Sequence, residues 1–475
     1  VSVKLKWRSG TVALRCAVCD RVDGQQRVAT VAVPGRHGRT TVARCGGCTS
    51  IIIDGLLPPD DAYSDAHWDW DQYIEHGAGI EAIAALVASV DAPAGSRLLD
   101  VGCGYGFALD LGAFLCDWTG IGLDPSPAAE RGQRDLQLDI RRATLDADFA
   151  HSERFDVIVA SEVLEHLVDP RTLLREIARR LERDGVGVIT TPNADFVRPE
   201  IPSTTLLSVL SLGHHVFVPT QESLRAMLDD TGLLARVTPR GHSLFGVMSP
   251  TTAGLARVRE NPSVPLTDLA SYCRTRAAAA PEGSALAVGM TTRAIKFLAY
   301  DGRFAEAAEM VEHLRGHLLA RHGVDLDDRA ALRSLAAPPP IVAAAGYFSG
   351  VTARYVDQDP DLADARWTAA VAAGAAHYAR AGRYAQPEIA RFEMEALGER
   401  ALLHSSADPV EARRLLSQLD AAARRSGDHS VASAYRPRVE ADLGPEPVRT
   451  STSKIKFHRI AAGIRRRFFR NTSRA

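Results

Sequence analysis

The chain predicts a central α/β domain, a parallel sheet with helices on both faces. A small cysteine-bearing β-module precedes it and an all-helical domain follows it. Three stretches carry this expectation. Arg97 to Asp124 reads as strand, glycine turn, helix and second strand. Two Cys-x-x-Cys pairs, Cys16/Cys19 and Cys45/Cys48, stand near the start. From Leu286 the chain turns Ala-rich and helical, with two fragments that echo each other.

Residues 1–57 hold both cysteine pairs, each on a turn, and the segment between them alternates enough for a β-hairpin. Two such pairs make a tetrahedral four-thiolate site. That suits a structural Zn²⁺ at Cys16, Cys19, Cys45 and Cys48, the layout of a zinc ribbon. A redox pair is the rival, and two turn-borne pairs fit it less well. The module has little core of its own, so metal is expected to supply much of its folding energy. These are four of seven Cys; in a chain that looks cytosolic, metal is favoured over disulfides.

Residues 58–95 read as a connector rich in aromatics (Tyr63, His67, Trp68, Trp70, Tyr73), then a lead-in helix from Ile80 to Val90. The aromatics suit a packed hinge or a place at a ligand mouth.

Residues 96–250 alternate strand and helix, which gives the parallel sheet. A short apolar run ends in Asp100 and breaks at Gly102, Gly104 and Gly106. The glycines permit positive φ and put no Cβ between backbone and ligand. A helix from about Phe107 to Cys116 follows, then a strand from Trp118 to Leu123. Asp124 ends that strand, placed to accept hydrogen bonds from a ribose diol. A dinucleotide fingerprint wants a third glycine where Phe107 stands, and no Lys follows the glycines, which excludes a P-loop. Phe155 to His166 reads as a buried strand and the turn after it. Pro170 to Leu181 is an amphipathic helix, with Leu173, Leu174, Ile177 and Leu181 at helical spacing. Gly185 to Thr191 is another buried strand. Ala194 to Gly213 is an irregular insertion over the strand tips, a candidate lid for an acceptor. Gln221 to Asp230 forms a helix capped by Thr220 with Glu222 close behind. Leu234–Pro239 and Ser243–Ser249 complete the sheet as a hairpin.

Residues 251–285 look like a linker, with Pro262, Pro265, an alanine run and Pro281. Residues 286–445 are helical. Gly302-Arg303-Phe304 and Gly382-Arg383-Tyr384 each turn one helix into the next, and a further pair straddles Ala407-Asp408-Pro409. These hairpins resemble tetratricopeptide repeats, although a spacing of about 80 residues is not that repeat's period. A plain helical bundle is the alternative. Such an array suits docking of a protein partner more than catalysis.

Residues 446–475 form a basic tail. After Glu446 there are nine Lys or Arg and no acid, which leaves −11 on the rest of a chain whose net charge is −2. Phe457, Ile460, Ala461, Ile464 and Phe468 fall on one helical stripe amid the basic residues. That pattern suits an anionic membrane surface; a solubilising tail and a nucleic-acid arm are the alternatives. An acidic body argues against nucleic acid as the main partner. No run is long enough to span a membrane, and the start lacks an apolar signal core. The expected place is cytoplasmic, peripheral on the membrane if the tail binds.

The Asp100-x-Gly102-x-Gly104-x-Gly106 loop with Asp124 resembles the first motif of class I S-adenosylmethionine-dependent methyltransferases. The series Val163-Leu164-Glu165-His166, Asp169-Pro170 and Thr191-Pro192-Asn193 is similar to a group that includes coenzyme Q O-methyltransferases and glycan-modifying enzymes. The likeness covers roughly Ser96 to Pro250. It implies a Rossmann-like sheet and S-adenosylmethionine held by Asp100, Gly102, Gly104, Gly106, Asp124, Leu145, Asp146 and Ser161. A zinc ribbon ahead of such a domain resembles certain sugar C-methyltransferases, where it would help to cover the acceptor.

Methyl transfer from a sulfonium needs mainly in-line alignment. An oxygen or nitrogen acceptor also needs a base near neutral pH, and His fits. His166, His214 and His215 are the candidates; a structural role is the alternative for each. Glu162, Glu165 and His166 share a face if their turn is helical, and the resemblance to the coenzyme Q enzymes implies that Mg²⁺ could sit there. The expected reaction is methylation of a hydroxyl on a sugar, glycan or glycolipid. The alternatives are a quinone or polyketide acceptor, or a protein methyltransferase or scaffold that docks partners on its helices.

Overall fold

The computed structural model describes residues 5–32, 39–55, 70–146, 149, 153–260, 262–381 and 386–443. Tyr63, His67 and Trp68, the Gly382-Arg383-Tyr384 turn and the basic stripe after Glu446 lie outside the described residues. The described chain forms two units. One holds the N-terminal strands and Gly79–Val264; the other holds Asp71–Ala78 and the chain from Pro265 on.

In the first unit the N-terminal strands are β1 (Leu5–Trp7), β2 (Thr11–Val12), β3 (Gln25–Ala32), β4 (Arg39–Arg44) and β5 (Ile51–Ile53). The central strands are β6 (Arg97–Val101), β7 (Thr119–Leu123), β8 (Ile140–Arg141), β9 (Phe155–Ser161) and β10 (Leu181–Pro192). After them come β11 (Phe217–Val218), β12 (Leu234–Arg240) and β13 (Ser243–Ser249). The central sheet runs β12-β13-β10-β9-β6-β7-β8. β6 to β10 are parallel; β13 runs antiparallel to both β10 and β12. From β6 the chain steps outward to β7 and β8, then returns to β9 on the other side. Right-handed crossovers therefore put helices on both faces and open a crevice at the tip of β6. Val101 pairs with Leu123 on one side and Ala160 on the other, so three strand tips end side by side.

Local chemistry sets the helix starts. Asp169 accepts a hydrogen bond from Thr172 N at 3.2 Å, with Pro170 at the first position of the helix Pro170–Arg180. Leu173, Leu174 and Ile177 of that helix are buried in the sheet's core. Before the helix Gln221–Asp229, Thr220 and Ser223 cap each other reciprocally. The partner is Ser223 rather than Glu222, because the box needs the third helical position.

The insertion departs from the irregular lid the sequence suggests. It holds a 3₁₀ turn, Ala194–Phe196, and a helix, Ser203–Leu210. Ala194, Val197, Leu206, Leu207, Val209 and Leu210 share a core with Ala29, Val31, Val42, Ile51 and Ile53. β11, just after the insertion, pairs with β5. The N-terminal module therefore has more core than its own sequence offers, since it borrows one from the insertion.

In the second unit, consecutive helices include Ala285–Asp301, Phe304–His322, Val342–Tyr355, Pro360–Ala381, Pro387–His404 and Pro409–Ser426. Gly302 caps the first of these in the left-handed region, at φ 81°, as its turn motif implies. The alanine run expected as linker is part of a helix, Leu266–Ala279, since Ala is the strongest helix former. Asp71–Ala78 is tied into this unit. Glu75 pairs with Arg321 and His322, and Arg293 donates to His76 O. No helix among the described residues is long and apolar enough to cross a membrane.

Candidate functional site

The glycine loop leaves β6 at Gly102 and folds over the end of β7. Gly102 N and Cys103 N both donate to Leu123 O, at 2.7 and 3.1 Å. Gly102 and Gly104 have φ of 69° and 53°, which other residues reach at a cost. A Cβ on Gly102 would also collide with Val163. A Cβ on Gly104 would meet nothing within 4 Å, so this residue borders open space at the crevice. Gly106 starts the helix Phe107–Cys116.

Asp124 sits at the tip of β7 and is bound to the loop. Its Oδ2 accepts from Gly104 N at 2.8 Å; its Oδ1 accepts from Ser126 N at 2.8 Å and from Ser126 Oγ. Asp100 lies behind, 3% exposed. Burial, then the nearby Asp124 charge, pushes its carboxyl up to about 7. Open space over Gly104 and an anchored acid one strand away fit the amino-acid and ribose parts of S-adenosylmethionine.

The other expected cofactor residues lie at the end of β9 and in the segment after β8. Ser161 ends β9 and shares a 2.7 Å hydrogen bond with Thr190 Oγ1. Leu145 is buried; Asp146 is exposed and accepts from Phe149 N at 3.1 Å. Buried Arg180 holds that loop by donating to Asp146 O at 2.9 Å and to Phe149 O at 2.5 Å. Ser126 and Arg180 have no motif of their own and were not legible as site residues. The acid in the preceding strand is the signal that could have pointed to Ser126.

The histidines gather around the turn that follows β9. Glu162 takes φ 56°, a strained turn of the kind that collects at functional sites. The 3₁₀ turn Leu164–His166 follows. His166 Nδ1 lies 3.1 Å from His214 O. A carbonyl only accepts, so Nδ1 carries the proton and Nε2 the lone pair. Burial holds His166 below the ordinary imidazole value. His215 is pushed down to about 3 by burial and by His166. Its Nδ1 donates to Val209 O at 3.0 Å, and its ring stands edge-on to His166 with centroids 4.8 Å apart. Its Nε2 is 3.8 Å from Glu165 Oε1. Glu165 is fully buried; Thr191 donates to its Oε2 at 2.9 Å, while Oε1 has no hydrogen-bond partner. Of the three histidines, His215 is interior, while His166 and His214 are both half-buried. His214 also contributes its backbone carbonyl to His166, which fixes the His166 ring.

Glu165, His166 and His215 converge with donor atoms within 4.8 Å, and Glu162 is not part of that group. The Mg²⁺ expectation gains no support from this arrangement. Mg²⁺ wants several ionised or carbonyl oxygens. Here two donors are imidazoles, and burial holds Glu165 well above the usual carboxylate range.

The four cysteines of the N-terminal module do converge. Cys16 Sγ is 3.5 Å from Cys48 Sγ, Cys19 Sγ is 3.5 Å from Cys45 Sγ, and all four lie within 4.8 Å of one another. A tetrahedron with Zn–S bonds of about 2.3 Å has edges of roughly 3.8 Å. The donor set and its spacing fit a closed, structural Zn²⁺.

A family model described as a methyltransferase domain matches residues 73–235. A ubiquinone biosynthesis O-methyltransferase of Bradyrhizobium diazoefficiens is 32% identical over 175 residues, 34% of this chain and 67% of that one. The enzyme of the same name from Ruegeria sp. is 30% identical over 159 residues, 30% of this chain and 62% of its own. The chain thus spans about two thirds or less of these relatives. An O-methyltransferase family protein of Burkholderia thailandensis with a solved structure is 16% identical, covering 40% of this chain and 64% of that one, at a TM-score of 0.33. With the glycine loop, Asp124 and the strand order on the page, the chain belongs to the class I S-adenosylmethionine-dependent methyltransferases.

Proposed function

We propose that the chain methylates a hydroxyl of a small ring acceptor of the quinone or polyphenol class, with His166 as the base. The observation that carries it is the fixed tautomer of His166. Its Nδ1–H is spent on His214 O, so Nε2 can take a hydroxyl proton at neutral pH. Bound S-adenosylmethionine would supply an electrophilic methyl group. Asp124 and the Gly104 corner would hold the nucleoside side, and Asp100 the amino-acid side. Glu165 and His215, both buried, exclude water behind His166.

The names of the relatives support a quinone-type acceptor over the sugar acceptor first expected. The sugar reading drew on the module's layout and on a tail outside the described residues. The helical unit is a candidate surface for a protein partner, and the four-thiolate site a candidate for one Zn²⁺. The test is a screen with methyl-labelled S-adenosylmethionine against hydroxylated prenyl quinones, polyphenols, nucleotide sugars and glycolipids. Label in a phenolic oxygen supports the proposal. Label in a sugar alone overturns it.

A further inference from the structure

Two backbone hydrogen bonds join the four-cysteine module to the histidine edge. Ile53, the last residue of β5 and five past Cys48, donates its N–H to Val216 O at 2.9 Å. Val216 donates its own N–H to Glu165 O at 2.8 Å. Val216 follows His215 in sequence, and Glu165 precedes His166. Beside this link, Ile52 pairs with Phe217 and Ile51 with Val218.

The other knuckle is gripped from the same side. Arg171, five residues past His166, donates through Nε and Nη2 to Val18 O, at 3.0 and 2.9 Å. Val18 lies between Cys16 and Cys19. Buried Ser50 and Ser223 share a 2.8 Å hydrogen bond between the second knuckle and the helix Gln221–Asp229. The support of His215 leads back to the module too. Its Nδ1 rests on Val209 O, and Val209 sits on the helix that shares a core with Ala29, Val42 and Ile51. The cofactor corner is held by different bonds: Gly102 and Cys103 on Leu123, Gly104 and Ser126 on Asp124.

A metal ion between the four sulfurs would tie the two knuckles together. Without it that tie is lost, and β5 is the strand that leaves the second knuckle. We infer that metal binding at Cys16, Cys19, Cys45 and Cys48 positions the acid–base edge. It holds β5 in register on β11 and so seats His215 between Glu165 and His166. His215 and Glu165 are positioning residues in this scheme, and the module is part of the active site's construction. The inference rests on the reading of His166 as the base.

The experiment compares the full zinc-loaded chain with three variants: Cys19→Ser, Cys19→His and Arg171→Met. Cys19 is the exposed ligand, so its loss disturbs packing least. A His ligand restores a known zinc set. Arg171→Met leaves all four cysteines in place and cuts the link to Val18 along with the ion pair to Asp230, for which Asp230→Asn is the control. Two readouts are taken. Calorimetry gives affinity for S-adenosylhomocysteine, and diethyl pyrocarbonate with peptide mass analysis gives the reactivity of His166 and His215. Zinc-free Cys19→Ser should keep its cofactor affinity while His215 modification rises about tenfold or more, as when a protecting segment opens locally. Cys19→His should restore protection, and Arg171→Met should raise reactivity with zinc content intact. A modification pattern indifferent to zinc overturns the inference. So does loss of cofactor binding in step with zinc, which would make the module a general folding element. The two readings fail separately: the base reading falls if His166→Ala turns over normally, whatever the modification pattern.

Discussion

The backbone N–H of Gly104 donates to Asp124 Oδ2 at 2.8 Å, which makes the glycine loop and the neighbouring strand tip one corner. Ser126 donates to the other oxygen. Three donors thus hold the carboxylate, and one lone pair, on Oδ2, remains for a ribose hydroxyl. Asp124→Ala would remove the ribose contact and leave the loop N–H without its acceptor. It should weaken S-adenosylhomocysteine binding by about 1.5–3 kcal/mol, or roughly ten- to a hundredfold. Calorimetry checks this; unchanged affinity would take Asp124 out of the site.

Asp100 should make stability fall as pH rises. Its folded value, about 7, lies above the ordinary carboxyl value because of burial and then the Asp124 charge. Between about pH 4 and 7 the native state keeps a proton that the unfolded chain has lost, so stability declines across that window. The whole effect is on the order of 4 kcal/mol. Asp100→Asn should remove it. Urea unfolding of both chains at pH 5 and pH 8 measures the difference, and parallel curves would show that Asp100 is not the group responsible.

His166→Ala should lower turnover on the order of 10²–10⁴-fold, the usual range for a lost base, and leave cofactor affinity intact. The base must be neutral, and burial holds it below the ordinary imidazole value. The rate should therefore climb with pH on a limb below about 6.5 and be flat at neutrality. A wild-type limb that persists in the variant would assign it to another group.

The purified chain should carry about one Zn²⁺, as one four-thiolate site requires. Cys48→Ser should lose it and lower the melting temperature. Full zinc content in that variant would place the ligands elsewhere.

What the sequence made legible is what is local. The glycine loop, the acid ending the next strand and the cysteine pairs are fixed by spacings of a few residues, and each lies where its spacing implies. The three histidines were legible as a group but not in their roles. That His166 bonds the carbonyl of His214, and His215 that of Val209, depends on how an insertion folds back. The insertion read as irregular because its helix, Ser203–Leu210, is short and Thr-rich at its start. Its apolar residues face another module rather than the sheet it leaves, so no period within the central domain betrays it. Arg180 and Ser126 act through partners far along the chain or through a turn, and no motif marks them. The place of Asp71–Ala78 in the helical unit is long-range in the same sense.

The helical unit offers one further test. Glu388 is the shared partner of Arg293 and Lys296, both nearly buried: Lys296 Nζ reaches Oε1 at 2.6 Å and Arg293 Nη2 reaches Oε2 at 2.5 Å. Burial opposes ionisation of Glu388, yet the two cations hold it below the ordinary carboxylate range. A depressed carboxyl stabilises the fold above its unfolded value, about 4.3, and that contribution fades as pH falls through the lower native value. Glu388→Ala leaves two buried cations without this partner, so it should cost about 3–5 kcal/mol, as breaking a buried pair does. Glu388→Ala with Lys296→Met should recover part of the loss, because one of the two cations that faced Glu388 goes with it. Denaturant melts of the wild-type chain, Glu388→Ala, Lys296→Met and the double variant decide it. If the double variant is as unstable as the sum of the single losses, the charges are not coupled and the cluster is only packing.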